Sequence, residues 1–66
     1  MKIRVKLPGK SKTVELKPNS TILDLFNELG ECSESYVVKR NSEVAIEIEK
    51  LKSGDEVELI RVVSGG

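Results

Sequence analysis

The chain has no histidine and no tryptophan, and it has only one cysteine, one tyrosine and one phenylalanine among its 66 residues. A lone Cys32 cannot form an internal disulfide, which excludes the disulfide-stapled scaffolds of many small secreted proteins. The missing histidines and cysteines also exclude zinc fingers, cysteine-ligated iron–sulfur clusters, and Ser–His or Cys–His catalytic pairs. We therefore expect no catalytic side chain and no metal site, and an enzyme acting alone is not expected.

Long apolar runs are also absent. No stretch approaches the roughly 20 apolar residues that a membrane-spanning helix needs, and the first seven residues alternate charged with apolar side chains, unlike a signal peptide. With 38% hydrophobic and 33% charged residues, the composition is typical of a small folded domain. We expect a cytoplasmic protein with no membrane partner.

The charges balance to zero, but they are unevenly distributed. Residues 1–17 contain six Lys or Arg and one acid, whereas residues 41–60 contain six acids and two lysines. A basic segment can indicate a nucleic-acid surface, but two aromatic residues in the whole chain provide no stacking platform. We expect no direct nucleic-acid binding, and instead predict that a basic strand lies beside an acidic one.

Alternating apolar residues predict a hairpin at the start of the chain, with strands over 2–7 and 13–16 and a turn at 8–11. After this hairpin, the spacing of the apolar residues changes. Apolar residues spaced i, i+3, i+4, i+7 predict an amphipathic helix over 22–29. Thr21 with Asp24 resembles a capping box, and Gly30 is placed to end the helix.

Three further strands are predicted over 36–40, 43–46 and 56–63, and we expect Ile48 and Leu51 to reach the core from the irregular segment between them. This order predicts an α+β domain in two layers, with one helix covering one face of a four- to five-stranded sheet. The expected core comprises Ile3, Val5, Leu7, Val14, Leu16, Ile22, Leu25, Phe26, Leu29, Val38, Leu51, Val57 and Leu59.

The last strand is followed by Ser64, Gly65 and Gly66. We therefore divide the chain into a domain over 1–63 and a flexible tail over 64–66. Because glycines have no side chains, such a tail could enter a narrow active site and present the α-carboxylate of Gly66 to ATP. Adenylation would convert this poor electrophile into one that sulfide or an amine can attack.

Three segments carry a resemblance that extends over nearly the whole chain. Residues 53–66 (SGDEVELIRVVSGG), 37–44 (VVKRNSEV) and 21–30 (TILDLFNELG) resemble the ThiS/MoaD family of ubiquitin-like sulfur carriers. The family more often has glycine where this chain has Ser42. The resemblance implies a β-grasp fold with a mixed sheet.

The resemblance also implies a chemistry. Gly65 and Gly66 are the only residues that it marks as directly functional: a ubiquitin-activating-type enzyme would adenylate Gly66 with ATP, and a sulfur donor would leave a thiocarboxylate there. The sulfur would serve thiamin or molybdopterin biosynthesis or tRNA thiolation. The carrier itself would bind no cofactor. It would be a monomer alone and would form a hetero-complex with the adenylating enzyme and with the synthase or thiolase that accepts the sulfur.

In that family the partner docks on the sheet face away from the helix. We name this face the open face; here the resemblance assigns to it Arg4, Lys6, Glu58, Ile60 and Val62. Ile60 and Val62 form an apolar pair rimmed by charges, which is typical of a transient docking patch rather than of the core.

Two other functions stay open at this stage. A ubiquitin-like protein modifier would use the same activation and form an isopeptide bond between Gly66 and target lysines, and a plain interaction domain would use neither step. The sequence does not identify the pathway that receives the sulfur, and it gives Cys32 no role.

Overall fold

The computed structural model describes residues 1–62. The predicted strand end at Val63 and the tail over 64–66, including Gly65 and Gly66, lie outside the described residues. The elements are β1 (Lys2–Leu7), β2 (Lys10–Glu15), α1 (Ile22–Leu29), a short 3-10 turn (Ser33–Ser35), β3 (Tyr36–Arg40), β4 (Glu43–Ala45) and β5 (Glu56–Arg61). No helix in this part of the chain is long and apolar enough to cross a membrane.

The five strands form one mixed sheet in the order β2-β1-β5-β3-β4. β5 pairs parallel with β1 and antiparallel with β3, while β2 and β4 form the two edges. The buried side of α1 belongs to the same hydrophobic cluster as β1 and β5. One helix on one face of a five-stranded mixed sheet confirms the predicted β-grasp fold.

The helix begins and ends where local signals predict. The Asp24 N–H donates to Thr21 Oγ1 at 3.3 Å and the Thr21 N–H donates to Asp24 Oδ2 at 2.8 Å, which completes a capping box. At the other end Gly30 adopts φ 72°, a left-handed conformation that glycine takes without a steric cost.

The core follows the predicted apolar positions closely. Of the thirteen expected residues only Leu7 and Leu29 are half-buried, and Ala45 joins the cluster unpredicted. The expectation for Ile48 is wrong, because its side chain is 73% exposed. The Leu23 N–H donates to Glu47 O and the Ile22 N–H donates to Glu49 O, both at 3.0 Å. These bonds fix the segment along the start of α1, and Leu51 alone turns inward.

Backbone conformation explains one departure from expectation and one difference from the resembled family. β2 starts at Lys10 rather than at residue 13, because Pro8 and Gly9 alone make the turn, with φ 78° at Gly9. Ser42, the position where the resembled family more often has glycine, has φ 74°. A side chain is disfavoured in this left-handed region, which gives a physical reason for the glycine preference.

The predicted neighbourhood of basic and acidic strands is confirmed. β1 lies beside β5, and Lys6 Nζ is 3.5 Å from Glu56 Oε1. This is the one ion pair between the two strands within residues 1–62. The other cations of the first hairpin form no ion pair with β5 in this part of the chain.

Candidate functional site

β5 is the central strand of the sheet and ends at Arg61, five residues before Gly66 in the sequence. The strand is paired on both sides, and beyond it the Val62 N–H donates to Ser35 O at 2.9 Å. The backbone is thus held by hydrogen bonds up to four residues before Gly66. Fully extended, four residues span at most about 14 Å. Any enzyme that reacts with the Gly66 carboxylate must therefore bring its active site within about 14 Å of Val62.

The open face contains the residues predicted for it. Arg4 is opposite Glu56 and Lys6 is opposite Glu58 in the register of β1 and β5. Residues directly opposite each other share a face of the sheet, and the buried Val5 and Val57 between them point to the helix side. Ile60 is 38% exposed and Val62 is 44% exposed. The exposure predicted for these residues is confirmed, and their docking role stays a prediction.

Two residues of the open face were missed in the sequence. Val37 lies opposite Ile60 and is 40% exposed, and Lys39 lies opposite Glu58. Together Val37, Ile60 and Val62 form an apolar patch next to the end of β5. The antiparallel pairing of β3 with β5 brings Val37 into it, and strand pairing of this kind is not readable from hydrophobic alternation alone.

The start of β5 is held by a buried carboxylate. Asp55 Oδ2 accepts from Arg40 Nε and from the Lys52 N–H, each at 2.8 Å, and Oδ1 accepts from Asn41 Nδ2 at 3.1 Å. Burial raises the pKa of Asp55, but the hydrogen bonds from Lys52, Arg40 and Asn41, with the charge of Arg40, outweigh it, and the net pKa is lowered. The network lies at the end of β5 farthest from Val62, so its role is structural.

This network predicts an acid-sensitive contribution to stability. Because the pKa of Asp55 is lowered on folding, its stabilisation is fully present above the unfolded pKa, near 3.8, and is lost as pH falls through the folded pKa below that value. We expect Asp55→Asn to lower the free energy of unfolding by about 1–3 kcal/mol at neutral pH, since hydrogen bonds to a charged group are lost.

The measurement is urea unfolding of both proteins at neutral pH and at a pH well below the unfolded pKa. The difference between them should shrink in acid. Glu43→Gln, at an exposed position, is the matched control and should change little at either pH. A difference that is the same at both pH values would contradict the ionised role of Asp55.

Cys32 is exposed, and its thiol makes no hydrogen bond or ion pair with another side chain within residues 1–62. The adjacent Ser33 Oγ donates a hydrogen bond to Glu47 Oε2 at 3.0 Å, which does not involve the thiol. The structure gives Cys32 no place in a site.

Comparison with known proteins gives three matches of different kinds. The model of the ThiS family matches residues 3–66. The sulfur carrier protein TtuB of Thermus thermophilus is 30% identical over 66 residues, which is 100% of both chains. Among solved structures, SAMP1 of Haloferax volcanii, small archaeal modifier protein 1, is 25% identical with a TM-score of 0.80 and covers 100% of both chains.

A second solved structure has a name that matches the family. The thiamine biosynthesis protein ThiS of Geobacter metallireducens is 26% identical, with a TM-score of 0.66, and the match covers 96% of this chain and 99% of that one. The matched family region contains both Gly65 and Gly66. The similarity therefore includes the residues that follow the described part of β5.

Proposed function

The chain belongs to the ThiS family, and from this premise we propose that it is a sulfur carrier whose Gly66 carboxylate is adenylated and then converted to a thiocarboxylate. The observation that carries the proposal is the family match through Gly66, together with full-length similarity to a protein named as a sulfur carrier. The fold supports it, because β5 is the central strand of the sheet and ends at Arg61, four residues before Gly65 in the sequence.

The proposed chemistry needs no side chain of the carrier. A carboxylate oxygen of Gly66 attacks the α-phosphorus of ATP in the partner enzyme, and pyrophosphate leaves. Hydrosulfide, or an equivalent delivered by a sulfur donor, then attacks the carbonyl carbon, and AMP leaves with the oxygen that bridged carbon and phosphorus. The carrier is a co-substrate in both steps, so the ATP and the sulfur donor are bound by its partners.

The open face is the proposed docking surface for the adenylating enzyme. Its apolar patch of Val37, Ile60 and Val62 lies next to the end of β5, where a partner that holds Gly66, four residues after Val62, can contact it. Charged side chains lie beside the patch towards the start of β5: Lys6 and Lys39 are both opposite Glu58, and Arg4 is opposite Glu56, farther from the patch. An apolar centre with a charged rim is typical of a transient protein interface.

This docking surface predicts a defect in binding rather than in chemistry. Ile60→Glu should raise the KM for the carrier at least about tenfold, because a charge replaces an apolar side chain at the centre of the interface. Pyrophosphate release by the adenylating enzyme is the measurement, and kcat should stay within a small factor. Ile48→Glu makes the same change at an exposed site beside the start of α1 and should behave like the unchanged protein. Equal effects of the two substitutions would contradict the assignment.

A protein modifier is the second candidate, and the similarity to SAMP1 favours it. The same adenylate would be attacked by a lysine amine instead of hydrosulfide, which gives an amide at Gly66 and releases AMP. Both reactions require Gly66 and the same activation step. They differ in product: a carrier returns to its original mass after giving up sulfur, whereas a modifier stays attached to a target.

A further inference from the structure

A basic pocket lies beside the end of β5 on the helix side of the sheet, opposite to the open face. It has a volume of about 240 Å³, and its lining includes Leu7, Lys10, Lys12, Leu29, Tyr36 and Arg61. Lys10 is the cross-strand neighbour of Leu7, and Lys12 is the neighbour of the buried Val5. Their side chains therefore share the face that carries the core.

The third cation reaches the same pocket from β5. Arg61 is the cross-strand neighbour of Tyr36, whose ring packs against the core beside Phe26, with ring centroids 6.0 Å apart. Two strands, β2 and β5, thus bring three cations to one concave surface over a partly apolar floor. We name this feature the basic pocket.

The positive charges of the basic pocket are only partly neutralised by carboxylates of the described residues. Within residues 1–62 none of Lys10, Lys12 and Arg61 has a carboxylate within ion-pair distance. One acid, Glu31, lines the pocket, and its Oε2 accepts from the Tyr36 hydroxyl at 3.3 Å. The three cations around one carboxylate repel one another, and an anionic partner group would relieve that repulsion.

The size and position of the basic pocket indicate the kind of partner. Small-molecule sites usually enclose about 300–1,000 Å³, so this smaller space of about 240 Å³ suits a side chain better than a nucleotide. It also flanks Arg61, next to the last residues of the chain that the structure describes. A partner that reaches Gly66 within about 14 Å of Val62 approaches this pocket as well as the open face.

From this geometry we infer that the basic pocket receives an acidic segment, an Asp or Glu side chain with its neighbours, of the enzyme that adenylates Gly66. This inference rests on the proposed function. It adds a second contact surface on the helix side, so that the partner holds the chain from both faces where β5 ends. Charge pairing at such a contact speeds association and fixes the approach of the tail.

The test measures pyrophosphate release by the adenylating enzyme as a function of carrier concentration and of salt. Lys10→Glu with Lys12→Glu should raise KM at least about tenfold at low salt, with kcat within a small factor and a weaker dependence of KM on salt. The matched control is Lys17→Glu with Lys50→Glu, which makes the same charge change at exposed sites beside the start of α1. It should alter KM far less. Lys10→Arg with Lys12→Arg keeps the charges and should retain the original KM.

The outcomes separate the possibilities. If the two Glu pairs raise KM equally, the effect is one of total charge and the basic pocket is not a docking site. If Lys10→Glu with Lys12→Glu lowers KM instead, the pocket binds the carboxylate of the chain's own tail, and the inference is overturned. If the unchanged protein supports no pyrophosphate release while a known carrier does with its own enzyme, the proposed function itself fails and the inference falls with it. Circular dichroism verifies that each variant is folded.

Discussion

Removal of Gly65 and Gly66 is expected to abolish adenylation while the folded domain stays intact. The deletion moves the terminal carboxylate back by up to about 7 Å along an extended chain. Misplacing a reacting group by about 1 Å can already cost about a hundredfold in rate. Pyrophosphate release should therefore fall by at least about a hundredfold, to the background of the enzyme without carrier.

The stability of the shortened chain should change little, because the hydrophobic core cluster of residues 1–62 extends only to Leu59 and β5 ends at Arg61, so the deletion removes none of them. Thermal unfolding of both proteins measures this directly. Ser64→Ala is the matched control, since it alters the tail but keeps both glycines in place, and it should be adenylated at close to the original rate. An active deletion variant would contradict the role of Gly66 and favour a plain interaction domain.

Phe26→Ala is expected to have the largest effect on stability. Phe26 is 1% exposed at the centre of the core, between α1 and the sheet. Truncation of a buried phenylalanine costs about 3–5 kcal/mol. At roughly 0.05–0.15 kcal/mol per residue, a chain of this length has only about 3–10 kcal/mol in total. The variant should therefore lose between about a third and all of the stability of the unchanged protein.

Leu23→Ala is the matched control for this prediction, because Leu23 is on the same helix but is 42% exposed. It should cost less than about 1 kcal/mol, which corresponds to a shift in Tm of less than about 8 °C. Ile22→Val, a milder core change, should stay folded and cost about 0.5–1.5 kcal/mol. Thermal and urea unfolding followed by circular dichroism are the measurements. Similar losses for Phe26→Ala and Leu23→Ala would show that the core is not where the structure places it.

Features that depend on neighbouring residues in the sequence could be predicted. The capping box of Thr21 and Asp24 and the left-handed Gly30 are local, and the helix between them has the predicted bounds. Apolar periodicity likewise gave most of the core. Ser42 stands where the resembled family more often has glycine. Its φ of 74° shows that this position requires a left-handed backbone.

Features that depend on strand pairing could not be predicted in the same way. Ile48 was expected in the core because it is apolar, but backbone hydrogen bonds to the start of α1 fix its segment with the side chain outward. Val37 joins the apolar patch only because β3 pairs with β5 in one register. Arg40 and Asn41 reach Asp55, and four strands contribute to the lining of the basic pocket, through the same long-range pairing.

The residues of the candidate site also fall into these two groups, those that the sequence identifies and those that strand pairing brings together. Gly65 and Gly66 are identified by sequence resemblance, and the family match includes them. The open face follows from strand alternation, which assigns Lys6 and Ile60 to one side and Val57 to the other. In the sequence, Lys10 and Lys12 are recognisable only as members of a basic N-terminal segment. The register of β1 with β2 places them on the helix side, where they line a pocket with Arg61.

The central claim is that Gly66 carries sulfur, and the mass of the C-terminal peptide tests it most directly. The protein is incubated with its adenylating enzyme, ATP and hydrosulfide, and is then cleaved with trypsin after Arg61. The peptide of residues 62–66 contains neither Met1 nor Cys32, so oxidation of those residues cannot imitate the result. Our account predicts that this peptide gains the mass difference between one sulfur and one oxygen atom, and that omission of ATP prevents the gain. An unchanged peptide, under conditions in which the enzyme releases pyrophosphate with the carrier, would contradict it.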